Sequence, residues 1–149
     1  MPQQYSQGRT EMGVPLSPPR FDSDLMRPFY DGLAKNELRL TACAECGKWY
    51  WYPPEVLPCH PRAHVEWRPI SPVGSIYTFT VVHRSLLPGR ANGTTPYTVL
   101  LVEPDDVPQA RIPSLFVAPE GTEPRCGEKV ILKPVQAGDH MVAGFGPLE

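Results

Sequence analysis

The residues with the clearest chemistry are three cysteines near the middle of the chain. The run Cys43-Ala-Glu-Cys46 is followed by Gly47, and two thiolates at this spacing can face one metal ion when a tight turn follows. A complete zinc ribbon would place a second cysteine pair about a dozen residues later. Cys59 takes the first of those positions, but the second holds Arg62, whose guanidinium has no lone pair to give to a metal.

Two histidines follow Cys59 and could supply the fourth ligand. His60 is adjacent to Cys59, and neighbouring residues rarely ligate one ion, so the spacing favours His64. The predicted structural zinc site consists of Cys43, Cys46, Cys59 and His64. Cys126 is far away in sequence and is predicted to be a small buried apolar residue. The alternative, a ribbon held by aromatic packing with free thiols, stays open, because a structural zinc normally has four good ligands.

The other reactive side chains do not combine into a catalytic constellation. His83 lies in a predicted strand with no carboxylate nearby in sequence to orient it, which disfavours a general base. The serines lack a nucleophile-elbow context, and there is no glycine-rich phosphate loop. Three arginines could meet the phosphates of a ligand at a barrel mouth, although ordinary surface arginines are the simpler interpretation. These arginines are Arg84, Arg90 and Arg111.

Composition excludes several classes of partner. The 149 residues carry a formal net charge of −2 and have a pI near 6.1, which leaves no basic field for a nucleic-acid backbone. The first 20 residues contain no apolar core of signal-peptide length. The longest apolar runs fall far short of the roughly 20 residues of a membrane span. We therefore predict a cytoplasmic protein that binds neither nucleic acid nor membrane, in which reduced cysteines favour metal over disulfide.

Proline content and strand patterns predict the architecture. Twenty prolines and 12 glycines exclude a bundle of long helices, although short helices are expected around Pro28. Five strand-like segments follow, at residues 75–84, 97–103, 112–117, 128–134 and 140–145. Closure into a barrel would remove the edges of five such strands. The predicted chain is mainly β, with a flexible arm (1–20), short helices with a zinc-ribbon-like module (21–70) and a five-stranded OB-fold barrel (71–149).

The order of these pieces resembles the DUF35 family, OB-fold proteins with a rubredoxin-like zinc ribbon that are associated with acyl-CoA metabolism. The resemblance covers about residues 24–147 and depends on the order and spacing of short motifs. These motifs are Phe29-Tyr30-Asp31-Gly32-Leu33, Leu38-Arg39-Leu40, Cys43-Ala-Glu-Cys46-Gly47-Lys48, Tyr52-Pro53-Pro54, Trp67, the run from Gly74 to Arg84, Pro96-Tyr97 through Val102-Glu103, Gly127-Glu128-Lys129-Val130 and Phe145-Gly146-Pro147. Arg62 departs from the family's four-cysteine pattern.

The resemblance implies an accessory role beside a thiolase-fold enzyme, which could be a thiolase, a retro-aldolase or an acyltransferase. The partner would supply the nucleophile and the acid–base residues for chemistry on an acyl-CoA thioester, for example in degradation of steroid side chains or aromatic compounds. This chain would support the oligomer, expected as a dimer of heterodimers, and help shape the acyl-CoA entrance. Its expected cofactors are zinc and, through the complex, a coenzyme A thioester. The alternatives are a partner of a MaoC-type enoyl-CoA hydratase and a stand-alone acyl-CoA-binding module.

Aromatic side chains are expected to form the interface with that partner. Four consecutive aromatic residues, from Trp49 to Tyr52, are too many for one face of a small ribbon. Exposed aromatic patches commonly mark protein interfaces. The predicted interface residues are Phe29, Tyr30, Trp49, Tyr50 and Trp51.

Overall fold

The structure is a computed structural model and describes residues 24–84 and 96–148. The predicted N-terminal arm (1–20) and Arg90 lie outside these residues. The described chain begins with a 3-10 turn, followed by one helix and a series of short strands. In chain order they are the turn Asp24–Met26, α1 (Arg27–Ala34), β1 (Leu38–Cys43), β2 (Trp49–Tyr50), β3 (Val65–Ile70), β4 (Val73–Val82), β5 (Tyr97–Pro104), β6 (Ile112–Phe116), β7 (Lys129–Leu132), β8 (Val135–Ala137), β9 (His140–Val142) and β10 (Gly144–Pro147).

The helix α1 is short because of the residues at its two ends. Pro28 lies in its first turn, where its missing N–H costs no helical hydrogen bond. Phe29 and Leu33, four residues apart, are buried on the same side of the helix. Asn36 follows the helix with a φ of 60°, a left-handed conformation that asparagine tolerates better than most residues. The sequence predicted helices around Pro28, and the chain turns there from the 3-10 segment into α1.

The first sheet contains three strands in the order β2-β1-β3, all antiparallel. Its central strand β1 pairs along its whole length with β3, from Leu38 opposite Ile70 to Cys43 opposite Val65. Five of the six β1 residues are buried, as expected for a strand covered on both faces. In the aromatic run from Trp49 to Tyr52, only Trp49 and Tyr50 pair with β1.

The second sheet closes into a five-stranded barrel in the order β10-β6-β5-β4-β7, with β7 pairing back to β10. The β10–β6 contact is parallel and the others are antiparallel. The predicted OB-type barrel is thereby confirmed. Residues 140–145, predicted as one terminal strand, are instead divided. His140–Val142 forms a hairpin with β8, and the fifth barrel strand is Gly144–Pro147, because the approach of this segment to β7 and β6 begins only at Gly144.

One hydrophobic core joins the two sheets and the helix. It contains Phe29 and Leu33 from α1, Leu38 and Leu40 from β1, and buried residues of the barrel. The barrel residues are Ile76, Leu100, Val102, Ile112, Phe116, Val130, Leu132 and Phe145. Among the described residues, no helix has the length and apolar character to cross a membrane.

Candidate metal centre and aromatic cleft

The turn between β1 and β2 presents the first two cysteines. Cys43 ends β1 and is fully buried, whereas Cys46 is exposed at the tip of the turn. The backbone N–H of Gly47 donates to the Cys43 carbonyl at 2.8 Å, and the Cys43 N–H donates to the Lys48 carbonyl at 2.9 Å. Gly47 has a φ of 71°, a conformation in which glycine is unstrained. The sequence therefore forms the tight turn that the Cys-x-x-Cys spacing predicted.

The loop between β2 and β3 brings the other two ligand candidates to this turn. Cys59 and His60 lie together in this loop, and the His60 carbonyl accepts a hydrogen bond from the Ala63 N–H at 2.9 Å. The carbonyl of His64 accepts a bond from the Ala44 N–H at 3.1 Å, which fastens the end of the loop to the cysteine turn. One ligand atom from each of four residues lies within 4.8 Å of the other three. The four residues are Cys43, Cys46, Cys59 and His60.

The distances in this cluster fit a tetrahedral zinc ion. The sulfur atoms of Cys46 and Cys59 are 3.6 Å apart, and Cys43 Sγ is 3.6 Å from His60 Nδ1. With ordinary zinc–sulfur and zinc–nitrogen bond lengths, the edges of a tetrahedron are about 3.7 Å between sulfurs and about 3.6 Å between sulfur and nitrogen. Three thiolates and an imidazole are a common structural donor set, which leaves no open position for a substrate. The cluster therefore supports zinc binding.

The fourth candidate ligand differs from the sequence prediction. His64 was favoured by spacing, but the structure groups His60 with the three cysteines, while the His64 side chain is exposed at the start of β3. Adjacent residues can share the cluster because Cys59 faces Cys46 while the nearer ring nitrogen of His60 faces Cys43. Arg62 is exposed, and its position contributes no ligand. Cys126 was predicted to be buried, but it is exposed, since it lies in the turn that precedes β7.

Neighbouring groups change the acidity of two of the thiols. The Tyr50 hydroxyl stabilises the Cys59 thiolate and is the largest cause that lowers the pKa of Cys59 from its usual value. The backbone N–H of Lys48 acts to lower the pKa of Cys46, but desolvation and the bonds to Cys59 and Cys43 outweigh it, so that pKa is raised. The pKa of Tyr50 is raised, first by the effect of the neighbouring Cys59 side chain on its hydroxyl. Cys59 therefore ionises more readily than Cys46.

His60 also has a partner on its outer side. Its Nε2 atom lies 3.6 Å from the Glu45 carboxylate, and both side chains are partly exposed. Carboxylates in this position commonly orient a ligating imidazole and fix which nitrogen faces the metal. From the sequence, His60 was considered and disfavoured in favour of His64, and Glu45 was not considered. The signal available in the sequence was the position of Glu45 inside the Cys43–Cys46 turn, which places it beside any ligand that reaches the cysteines.

A cleft of about 460 Å³ lies between the helix, the ribbon and the barrel. Trp51 connects two other lining residues, because its Nε1 donates to the Arg111 carbonyl at 3.0 Å and the centre of its ring lies 5.0 Å from that of Phe29. Tyr52 is 63% exposed at the rim. The lining residues are Met26, Phe29, Tyr30, Trp51, Tyr52, Gln109, Arg111 and Pro113. Four of the eight lining residues are thus aromatic, and Tyr52 is the most exposed of these four.

The predicted interface residues occupy different positions around this cleft. Phe29, Tyr30 and Trp51 line it, but Phe29 is only 4% exposed and belongs to the core. Trp49 and Tyr50 are half-buried on β2 and do not line it. Tyr52, which was left out of the predicted set, is the most exposed aromatic side chain of the described residues.

The arginines predicted to bind a ligand have different surroundings. The guanidinium of Arg111 stacks 4.1 Å from the centre of the Tyr77 ring and lies 3.7 Å from the Glu103 carboxylate. It also donates to the carbonyls of Pro108 and Ala110 at 2.6 and 2.9 Å. These contacts give Arg111 a structural role beside the cleft. Arg84 is exposed two residues beyond the end of β4.

Comparisons with known proteins agree with both halves of this structure. The model of the ChsH2 rubredoxin-like zinc ribbon domain matches residues 31–65, and the model of the ChsH2 C-terminal OB-fold domain matches residues 67–133. The first match covers the cysteine cluster, and the second covers most of the barrel. No curated protein matches the chain.

Two solved structures share the fold. One is a chain of the Ltp2-ChsH2(DUF35) aldolase, with a TM-score of 0.71, 21% identity and coverage of 87% of this chain and 98% of that one. The other is a DUF35-family protein of unknown function from Sulfolobus solfataricus, with a TM-score of 0.54, 11% identity and coverage of 82% and 84%. At these identities the likeness establishes the fold. With the two family matches, it shows that this chain belongs to the DUF35 family of OB-fold proteins with a zinc ribbon.

Proposed function

We propose that the protein is a ChsH2-like accessory subunit of a thiolase-superfamily aldolase that acts on acyl-CoA thioesters. In this assignment the partner enzyme carries the groups that break or form the carbon–carbon bond. This chain binds the partner, stabilises its oligomer as a dimer of heterodimers and helps to shape the entrance for the acyl-CoA. Degradation of steroid side chains or aromatic compounds is the proposed setting.

One observation carries this proposal. The likeness to the Ltp2-ChsH2(DUF35) aldolase extends over 98% of the solved DUF35 chain, so it includes both the ribbon and the barrel rather than a shared OB fold alone. A barrel alone would support many functions, because this fold hosts unrelated activities. The likeness covers both the ribbon and the barrel, so it is a likeness to chains with this two-part architecture. It is therefore more specific than a likeness to the OB fold alone.

The partner face that we propose is the open side of the aromatic cleft. Tyr30, Trp51 and Tyr52 supply large rigid rings there, and Met26 adds an adaptable apolar side chain. Aromatic residues and methionine are enriched in the cores of protein interfaces. The zinc site lies in the same small ribbon as Trp51 and Tyr52, and it would hold the loop that presents these rings. Zinc is therefore assigned a structural role.

Arg84 is the described residue that we propose for contact with the coenzyme A phosphates in the complex. It is exposed at the end of β4, where a guanidinium can reach an anionic ligand without losing an internal partner shown by the structure. Arg111 is assigned to the architecture of the cleft, since its guanidinium already has one aromatic and several oxygen partners.

The test of the assignment is co-expression with a thiolase-like enzyme encoded by a neighbouring reading frame. We expect the two chains to purify together in equal amounts and the complex to cleave a β-hydroxyacyl-CoA, while this chain alone has no turnover. Turnover by the isolated chain would contradict the proposal, as would failure to bind any thiolase-like enzyme. Co-purification with a MaoC-type hydratase instead would replace the aldolase assignment.

A charge placed on the proposed partner face should weaken the complex. Tyr52→Arg introduces a cation at an exposed aromatic position, and loss of such an interface contact costs about 2 kcal/mol, or more than about tenfold in affinity. The matched control is Leu148→Arg, because Leu148 is 49% exposed and lies outside the cleft. Titration calorimetry should show weaker binding for Tyr52→Arg alone. Equal affinities for the two variants would place the interface elsewhere.

A further inference from the structure

Tyr50 has a hydroxyl group that the fold of the ribbon does not explain. The oxygen is buried, and among the described residues it is the one buried side-chain nitrogen or oxygen atom without a hydrogen-bond partner. The backbone of Tyr50 is fixed, since it pairs with Thr41 and its carbonyl accepts the Thr41 hydroxyl bond at 2.5 Å. Leaving a buried hydroxyl unsatisfied costs about 1–3 kcal/mol. Phenylalanine would fill the same space without this cost.

The Cys59 side chain is the neighbour that most raises the pKa of this hydroxyl, which places the two groups side by side. Without a metal ion the three cysteines of the cluster carry thiols, and a neutral thiol sulfur is a weak hydrogen-bond acceptor. A metal ligand is a thiolate, which is a strong acceptor for a hydroxyl donor. A strong acceptor for the Tyr50 hydroxyl is therefore supplied when a metal ion binds Cys59 and the thiol proton is released to solvent.

The charges around the cluster strengthen a hydrogen bond from the Tyr50 hydroxyl to Cys59. Three thiolates and a neutral imidazole around a divalent zinc ion leave the site with one net negative charge. The Lys48 ammonium lies 5.6 Å from the centre of the Tyr50 ring, and a cation at a ring face draws electron density from the ring. Tyr50 is thereby placed as a polarised donor beside an anionic cluster.

We propose that Tyr50 is a positioning residue of the metal centre, and that its hydroxyl donates a hydrogen bond to the Cys59 thiolate sulfur when zinc is bound. The bond withdraws charge from the sulfur and fixes the rotamer of Cys59 toward the metal. Outer partners of metal ligands typically contribute 10- to 100-fold to metal affinity. Tyr50 thus stabilises the metal-bound form of the ribbon relative to the metal-free form. The inference concerns this chain alone and holds whichever enzyme it joins.

The test compares the full-length protein with Tyr50→Phe and with the control Tyr52→Phe. Tyr52 is the other ribbon tyrosine, and its hydroxyl belongs to an exposed side chain away from the cluster. Competition with a chromophoric chelator should show zinc affinity about tenfold lower in Tyr50→Phe and unchanged in Tyr52→Phe. In the cobalt-substituted protein, the sulfur-to-cobalt charge-transfer band should move to lower energy in Tyr50→Phe alone, because the sulfur regains electron density.

A merely structural hydroxyl would behave differently in the metal-free protein. We expect Tyr50→Phe to leave the free energy of unfolding of the metal-free chain unchanged or increased, because a neutral thiol offers the buried hydroxyl only a weak acceptor. The zinc-bound chain should be destabilised. Equal losses in the two states, or unchanged zinc affinity with an unchanged charge-transfer band, would overturn the proposal.

A second measurement applies even where Tyr50→Phe fails to fold. Incorporation of 3-fluorotyrosine makes every tyrosine hydroxyl a stronger donor, while each tyrosine keeps its ring and its hydroxyl group. The proposal predicts that the charge-transfer band of the cobalt-substituted protein then moves to higher energy. An unmoved band in the fluorinated protein would overturn the proposal.

Discussion

At the scale of single residues, the two histidines of the ribbon loop differ in what their rings contact. His60 Nδ1 lies 3.6 Å from Cys43 Sγ, whereas His64 is exposed and outside the cluster. We predict that His60→Ala weakens zinc binding by at least about 10-fold, because a direct ligand contributes no less than an outer partner. His64→Ala is the matched control and should bind zinc as the native chain does. Elemental analysis after dialysis against a competing chelator measures both.

The opposite pattern would restore the prediction made from sequence spacing. If His64→Ala lost zinc and His60→Ala kept it, the loop would have to turn so that His64 replaces His60.

The sequence predicted the three cysteine ligands, because the spacing Cys-x-x-Cys reflects the geometry of a single turn. It could not choose the histidine, because the direction of each side chain depends on the turn at His60 and on the bond between Ala44 and His64. Neither of these leaves a pattern in the sequence.

At the scale of elements, the two ends of the ribbon sheet depend on different interactions. The Leu38–Ile70 end is covered by the common core, while the Cys43–Val65 end is next to the metal cluster. We predict that chelation of zinc exposes the amides of residues 44–64, which include β2, to hydrogen exchange. The Leu38–Leu40 half of β1 and the barrel strands should keep their protection. Mass spectrometry of peptides from the native chain, with and without chelator, measures this difference.

Lowering the pH should have the same effect on hydrogen exchange as chelation of zinc, because the cysteine thiols become protonated. Each cysteine must lose a proton to bind zinc, so protons compete with the metal and zinc affinity falls as pH falls. Exchange in residues 44–64 should therefore increase on acidification, and excess zinc should reverse it.

Loss of protection along the whole of β1 on chelation would show that the metal, rather than the core, holds this strand.

The strand pattern also shows which elements can be predicted from a sequence. Alternation of apolar residues located β5 and β6, since inward residues such as Leu100, Val102 and Ile112 are fully buried. The break between β9 and β10 could not be predicted. It depends on Gly144 and Gly146, where an added Cβ would collide with the carbonyls of Lys133 and Val117. That close approach exists only after the barrel closes.

At the scale of the whole molecule, the ribbon and the barrel share one core. Phe29 packs against both parts and can be tested by mutation. The centre of its ring lies 5.0 Å from that of Trp51 and 6.4 Å from that of Trp67, and both tryptophans are in the ribbon part of the chain. It also belongs to the buried cluster that contains the barrel residues Ile76 and Phe145. A residue packed against both parts should couple their unfolding.

We therefore predict that the zinc-bound chain unfolds in one calorimetric transition and that Phe29→Ala lowers its stability by about 3–5 kcal/mol. For a chain of this size the midpoint should fall by roughly 10 °C. Tyr77→Ala is a control that removes a 53% exposed ring of the barrel and should have a smaller effect, limited to the Arg111 stack. Two separate transitions in the native chain, or a Phe29→Ala variant in which only the ribbon melts earlier, would show that the two parts fold independently. In that case the partner enzyme, rather than the common core, would have to fix their relative position.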